Sequence, residues 1–245
     1  MHPESVHPES SRGPSSRTPR TAIVFVGGPH RVGHDGTAPA ASEAPVVHPA
    51  LHDVDAELVL AVDSGLHLAQ VSGRSVHRVV GDLDSVDAAA LDRAVAAGAE
   101  VVAHPRDKDA TDLELALDDA LAHGIEHVLV VGADSGRMDH LLGGALTVCA
   151  PRYAELRIEA WLGRSVLRPV WDHLVLRGEP GRLVSLLAVN GPALGVRTSG
   201  LRWPLRGERL EPGSGRGLSN RFLDAVADVT VEDGCLAVLV PEEAE

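Results

Sequence analysis

Chemistry in this chain concentrates in two acidic segments. Residues 79–85 read V-V-G-D-L-D-S and hold Asp82 and Asp84 two positions apart. Residues 104–112 read H-P-R-D-K-D-A-T-D and hold Asp107, Lys108, Asp109 and Asp112. Lys108 is the single lysine; the other 21 of the 22 basic side chains are arginines. Carboxylates gathered at neutral pH repel one another unless a cation or a proton relieves them. Mg²⁺ suits such a set, because it takes one or two carboxylates and completes its shell with water and substrate phosphates. Asp82 and Asp84, in an extended turn, can aim at one ion. Lys108 offers a compact point charge and Arg137 a planar fork for phosphate oxygens. The amides that open helices at Thr111 and Arg137 favour anions as well. Carboxylates, a hard cation and fixed positive charge are the apparatus of phosphoryl-group transfer, where catalysis is positioning and charge neutralisation. The sequence has no G-x-x-x-x-G-K-[ST] loop, no strand-following G-x-G-x-x-G and no G-x-S-x-G elbow. The residues alone indicate a Mg²⁺-dependent enzyme acting on a nucleotide or a diphosphate.

These side chains need a frame, and strands alternating with helices supply it. The β-branched run Thr21–Val26 reads as a strand that ends at Gly27-Gly28, and Leu58–Val62 reads as a second that turns at Asp63-Ser64-Gly65. Strands over 77–80, 100–103 and 127–131 each lead through a polar turn into a helix. The spacing predicts helices over 86–97, from Thr111 to a stop at Gly124, and from about Met138. Thr111 and Glu114 form a capping box, and Leu113, Ala116, Leu117, Ala120 and Leu121 follow helical spacing. In the last helix Met138, Leu141, Leu142, Ala145, Leu146 and Cys149 line one face. Such alternation implies a mostly parallel sheet with right-handed crossovers, whose ligands bind outside the carboxyl ends of the strands. Asp63, then Asp82 with Asp84, then Asp107, Asp109 and Asp112, then Asp134 and Asp139 fall just after successive strands and therefore on one rim. A single Asp in such a turn is commonly a helix cap, and Asp63 can be read that way.

After Pro151 helical spacing fades. Short β-rich runs at 156–162, 173–176, 182–189, 226–231 and 235–240 lie between glycines and prolines, as in an antiparallel sandwich or barrel. The expected organisation is a floppy tail over 1–20, an α/β catalytic domain over 21–151 and an all-β sandwich domain over 152–245. Residues 30–49 read as a long loop. The net charge of −13 argues against a nucleic-acid partner, and no apolar run reaches the roughly 20 residues of a membrane helix. With a polar, proline-rich N-terminus, the chain is expected to be soluble and cytoplasmic. Cys149 and Cys235, far apart in apolar stretches, read as two buried reduced thiols. Thirteen histidines show no paired-ligand spacing.

Taken together, Gly81-Asp82-Leu83-Asp84-Ser85, Asp107-Lys108-Asp109-Ala110-Thr111-Asp112, Gly136-Arg137-Met138-Asp139-His140, Gly200-Leu201-Arg202-Trp203-Pro204-Leu205 and Leu218-Ser219-Asn220 resemble, in order, the motifs of the thiamine pyrophosphokinase family. The resemblance spans residues 21 to 240. It implies an N-terminal α/β domain that binds ATP and Mg²⁺, a β-sandwich domain, and a homodimer with thiamine held between one subunit's acidic rim and the partner's β domain. The implied reaction moves the β,γ-diphosphate of ATP to the thiamine hydroxyl, giving thiamine diphosphate and AMP. By the same resemblance Asp82, Asp84 and Asp112 act around Mg²⁺ and the triphosphate, while Lys108 and Arg137 hold phosphates. Asp63, Ser85, Asp109, Thr111, Asp139 and His140 line the nucleotide side. Trp203 stacks on a thiamine ring, with Ser219 and Asn220 in the same pocket. Trp203 also reads as a platform from its own context, a Gly-flanked, Pro-terminated turn in a chain with six aromatics; Trp161 and Trp171 read as core residues.

Two positions depart from the family's pattern. Ser64 stands where A-D-G-G has its first glycine, and Ser135 where G-G-R has its first. Each adds a hydroxyl and restricts the backbone, which bears on the identity of the alcohol. Two alternatives follow: transfer to another primary alcohol such as a hydroxymethylpterin, and a non-catalytic thiamine- or nucleotide-binding regulator.

Overall fold

The computed structural model describes residues 18–27, 51, 53–132, 138–162 and 165–241. Among the described residues thirteen strands and four α-helices are formed. In chain order they are β1 (Thr21–Val26), β2 (Leu58–Val62), α1 (Gly65–Val71), β3 (Arg78–Gly81), α2 (Ala88–Ala96), β4 (Glu100–Ala103), α3 (Asp112–Ala122), β5 (His127–Gly132) and α4 (Met138–Val148). After a 3₁₀ turn at Pro151–Tyr153 come β6 (Arg157–Leu162), β7 (Ser165–Val170), β8 (His173–Arg177), β9 (Leu183–Ser199), β10 (Arg206–Leu210), β11 (Asn220–Arg221), β12 (Val226–Thr230) and β13 (Asp233–Pro241).

The strands form one hydrogen-bonded path in the order β4-β3-β2-β1-β5-β6-β7-β13-β9-β12-β8, with β10 and β11 both on β9. From β4 to β6 every pairing is parallel, and from β6–β7 onward every pairing is antiparallel. The apolar run ending at Leu162, expected in the β-rich part, instead pairs in parallel with β5, Val131 opposite Trp161. Strands β7, β10 and β11 are not signalled by the sequence pattern, and β9 runs ten residues past the 182–189 run, to Ser199. It turns partway, with positive φ at Asn190, Gly191 and Gly195. Its first half pairs with β13 and β11, its second with β10 and β12.

Strands β1, β2 and β5 are buried along nearly their whole length because helices cover the sheet. Val24, Leu60, Val80 and Val130 pack with Leu113, Ala116, Leu117 and Ala120 of α3. The capping box forms: Glu114 N–H donates to Thr111 Oγ1 at 3.2 Å, and Thr111 N–H donates to Glu114 Oε2 at 2.8 Å. The hydroxyl of Tyr153, itself buried, donates to the Glu114 carbonyl and to Asp118 Oδ1, both at 3.1 Å, and pins α3 from below the rim. Because Leu117 is fully buried against the sheet, Leu117→Ala is expected to destabilise the chain by about 3 kcal/mol. Thermal unfolding would register that as a fall of roughly 6–12 °C in Tm.

Helix α4 differs from the other three. Ala145 packs on the main core and Cys149, just beyond the helix, is buried in it, but Met138, Leu141, Leu142 and Leu146 are exposed. The helical period marked this stripe as apolar; the chain itself covers only its inner edge.

Candidate active site

The rim at the carboxyl ends of β2, β3 and β4 carries three of the acidic turns, and these strands are neighbours in the sheet. The turns that follow β1 and β5, with Asp134, Ser135 and Arg137, lie outside the described residues. Asp139 and His140 are exposed in the first turn of α4.

Asp63 is not a helix cap. The N-cap of α1 is Ser64, whose side chain makes no capping bond. Asp63 takes a positive φ of 45° and turns its carboxylate across to the next loop, where Oδ1 accepts from Leu83 N–H at 3.2 Å. Leu83 also has positive φ, 63°, so both ends of this contact sit in a sparsely populated backbone region. Gly81 makes the approach possible: a Cβ there would stand 1.9 Å from Asp63 Oδ1. Desolvation, and then the charge of Asp112 beside it, push the Asp63 carboxyl up to about 7.

Asp112 is the first residue of α3, directly after the Thr111 cap. Lys108 Nζ lies 3.0 Å from Asp112 Oδ1 and donates to the Pro105 carbonyl at 3.1 Å. The lysine–carboxylate approach lacks hydrogen-bond geometry, so Asp112 Oδ1 is a buried oxygen with no hydrogen-bond partner. Asp82 Oδ1 accepts from Asp84 N–H at 3.1 Å; that bond first, with Asp84's side chain and the Lys108 and Arg106 charges adding to it, holds the Asp82 carboxyl below its ordinary range. Arg106 reaches Asp84 Oδ2 at 3.1 Å. Ser85, Asp107, Asp109 and Thr111 are exposed around these groups. Among the described residues no three His, Cys, Asp or Glu side chains converge closely enough to enclose a cation alone. The rim therefore offers carboxylates in ones and twos, each next to a cationic side chain. That is the donor set of an ion that shares its shell with phosphate oxygens.

The second cluster lies on the β-rich part. Asn220 is buried and its amide clamps the Trp203 backbone, accepting from Trp203 N–H at 3.1 Å and donating to the Trp203 carbonyl at 2.8 Å. The indole so fixed is half exposed, and the Arg202 guanidinium stacks 5.0 Å from its ring centre. Trp203, Leu205, Arg216, Leu218 and Asn220 line a pocket of about 160 Å³. Ser219 stands beside it rather than in its wall, with φ 56° and its N–H on Ser185 Oγ at 3.0 Å. Gly200 leads into this turn at φ 69°, where a Cβ would meet the Val226 carbonyl at 2.1 Å.

Comparison with known proteins assigns the two clusters to two halves of one family. Residues 53–160 match the profile "Thiamin pyrophosphokinase, catalytic domain", and residues 172–236 match "Thiamin pyrophosphokinase, vitamin B1 binding domain". The chain belongs to the thiamin pyrophosphokinase family. Its activity is accordingly that of a thiamine pyrophosphokinase, a transferase that places a diphosphate group on thiamine. A relative from Bacillus subtilis (strain 168), "Thiamine pyrophosphokinase", is 23% identical over 184 residues, 74% of this chain and 86% of the relative. The crystal structure of the Bacillus subtilis thiamine pyrophosphokinase has a TM-score of 0.75 at 21% identity, covering 92% of this chain and 100% of that one. The thiamin pyrophosphokinase of Candida albicans follows the same fold with a TM-score of 0.69 at 12% identity, covering 91% and 90%. At such identities the structures show the fold, and the tandem profiles carry the family.

Three neighbours of these groups received no role from the sequence. Arg106 pairs with Asp84, Gly81 makes room for the Asp63 carboxylate, and Arg202 covers one face of Trp203. Gly81 and Arg202 stand inside the motifs named above, and Arg106 is a second cation two residues before Lys108 in an otherwise acidic loop.

Proposed function

We propose that the acidic rim transfers the β,γ-diphosphate of ATP to the hydroxyl of thiamine, releasing AMP. The oxygen of the thiamine hydroxyl attacks the β-phosphorus and gives up its proton to solvent, the bond from that phosphorus to the oxygen bridging it to the α-phosphate breaks, and AMP leaves with that oxygen. The observation that carries this reading is the contact set Asp63–Asp112–Lys108 beside Asp82–Asp84–Arg106 at the ends of adjacent strands. Asp82, Asp84 and Asp112 would hold Mg²⁺; Asp112 Oδ1 accepts no hydrogen bond and already faces the Lys108 charge, as an oxygen in a cation-binding set would. Such an ion supplies charge neutralisation for the triphosphate. Lys108 binds and orients phosphate oxygens, and Arg137 would act with it. Asp109 and Thr111 at the α3 start and Asp139 and His140 at the α4 start complete the nucleotide side, with Ser85 beside Asp84.

Thiamine would stack on Trp203, whose ring Asn220 holds in place. Along the sheet path seven strand-to-strand steps separate β3 from β9, roughly 34 Å at ordinary strand spacing. A second copy can bring a Trp203 pocket to the rim, and the exposed apolar stripe of α4 suits a contact between copies. With β6 joined in parallel to β5, the domain division is drawn after β6 and not near Pro151, with a β sandwich beyond it; a cytoplasmic site of action completes the proposal. Among the described residues no helix is long and apolar enough to cross a membrane.

The deciding assay supplies ATP, Mg²⁺ and thiamine and identifies the nucleotide product. AMP in step with thiamine diphosphate supports the reading; ADP rejects it. A hydroxymethylpterin offered in parallel should give no AMP, and turnover with it would reject thiamine as the acceptor. Light scattering should give twice the 25.7 kDa chain mass. Trp203→Ala should raise the KM for thiamine by about tenfold or more, with the KM for ATP unchanged.

A further inference from the structure

Cys149 and Cys235 are the two cysteines of the chain, far apart in sequence, and the fold brings them together. Cys149 follows the last turn of α4, and its carbonyl accepts from Asn190 Nδ2 at 2.6 Å. The chain neighbour of Asn190, Val189, is the register partner of Cys235 on β13. Both side chains enter the same core cluster, where the two thiols lie within interacting reach of one another. Both are unbonded, and both are buried at 0% and 1% exposure.

We infer that Cys149 and Cys235 form an oxidisable dithiol, which a small hydroperoxide closes into an intrachain disulfide joining the end of α4 to β13. The pairing rests on packing and on none of the residues assigned to the reaction. Contact with Cys149 lowers the Cys235 thiol and contact with Cys235 raises the Cys149 thiol, an order in which Cys235 attacks and Cys149 resolves. The Cys235 sulfur, giving up its proton, attacks one peroxide oxygen. The S–O bond forms, the O–O bond breaks, and the departing hydroxide takes that proton to leave as water. The Cys149 sulfur then attacks the Cys235 sulfur. The S–S bond forms, the S–O bond breaks, and hydroxide leaves as water with the Cys149 proton. Two electrons pass from the thiols to the peroxide, and two waters result. Burial in apolar surroundings makes the reaction slow and selects a reagent near the size of water over a bulky disulfide.

The test uses the full-length chain, reduced and then exposed to hydrogen peroxide or, in parallel, to glutathione disulfide. Peroxide should remove two hydrogen masses and abolish both thiols titratable after denaturation. A peptide map should link Cys149 to Cys235, and Tm should rise by about 5 °C. Dithiothreitol should reverse all of these, and glutathione disulfide should leave the chain unchanged. Thiols intact after peroxide, oxygen gained without a link, or a link only between chains would each overturn the inference. In Cys149→Ala, peroxide should add oxygen to Cys235, read by mass on the denatured chain; a folded variant that gains no oxygen there would overturn the order of attack. If the variant does not fold, the peptide map of the native chain still decides.

Discussion

Asp112→Asn is expected to lower kcat/KM by roughly 10²- to 10³-fold while leaving the fold in place. The side chain opens α3 with Lys108 on one oxygen and Asp63 next to it. An amide of the same shape keeps the helix start and the Thr111–Glu114 box, but it removes the charge that pairs with Lys108 and that would meet a cation. Steady-state kinetics with far-UV circular dichroism on one preparation checks both halves. Activity within threefold of the parent would remove Asp112 from the site, and a lost helical signal would make its role structural.

Gly81→Ala should be almost as damaging by a different route. The added methyl carbon would lie 1.9 Å from Asp63 Oδ1 at a φ of 145°, so the Asp63 carboxylate must leave its contact with Leu83 or β3 must shift. A displacement of about 1 Å at a reacting centre is worth on the order of 100-fold in rate, and the backbone strain adds about 1–3 kcal/mol of destabilisation. Gly98→Ala separates the two effects. Gly98 also has positive φ, 100°, but nothing stands within 4 Å of its would-be Cβ. It should lose Tm comparably and retain activity. Equal activity losses in the two variants would mean that strain, not the Asp63 contact, explains the result.

The α/β half was legible because its signals are local. Thr111 and Glu114 sit three residues apart and cap one another as that spacing requires, and the strands from Leu58 to Gly132 alternate with helices as their apolar periods demand. Pairing partners are not local. The run ending at Leu162 looks the same whether it joins β5 or a separate sheet, and only tertiary packing selects the parallel neighbour. The acidic rim was legible by the rule that βα turns share one end of a parallel sheet. The use of Asp63 was not, because its partner, Leu83 N–H, belongs to the next turn. Asn220 likewise reads as a pocket residue and turns out to grip the Trp203 backbone as well. The thiols are the sharpest case: Cys149 and Cys235 read as two separate core residues, and their contact depends on how α4 docks against β13.

Strand β13, at residues 233–241, is inserted between β7 and β9 rather than added at an edge. Its register runs beside both neighbours, from Leu236 to Pro241 along β7 and from Asp233 to Leu239 along β9. On the ribosome, therefore, β7 and β9 cannot reach their final arrangement until residues 233–241 have been made and have emerged. The strands from β1 to β5 have all their partners by residue 162, with β6 lacking only β7, and are free to assemble first. Synthesis thus completes the parallel half early and leaves the antiparallel half waiting for β13, with the open gap between β7 and β9 as the stage most exposed to misassembly.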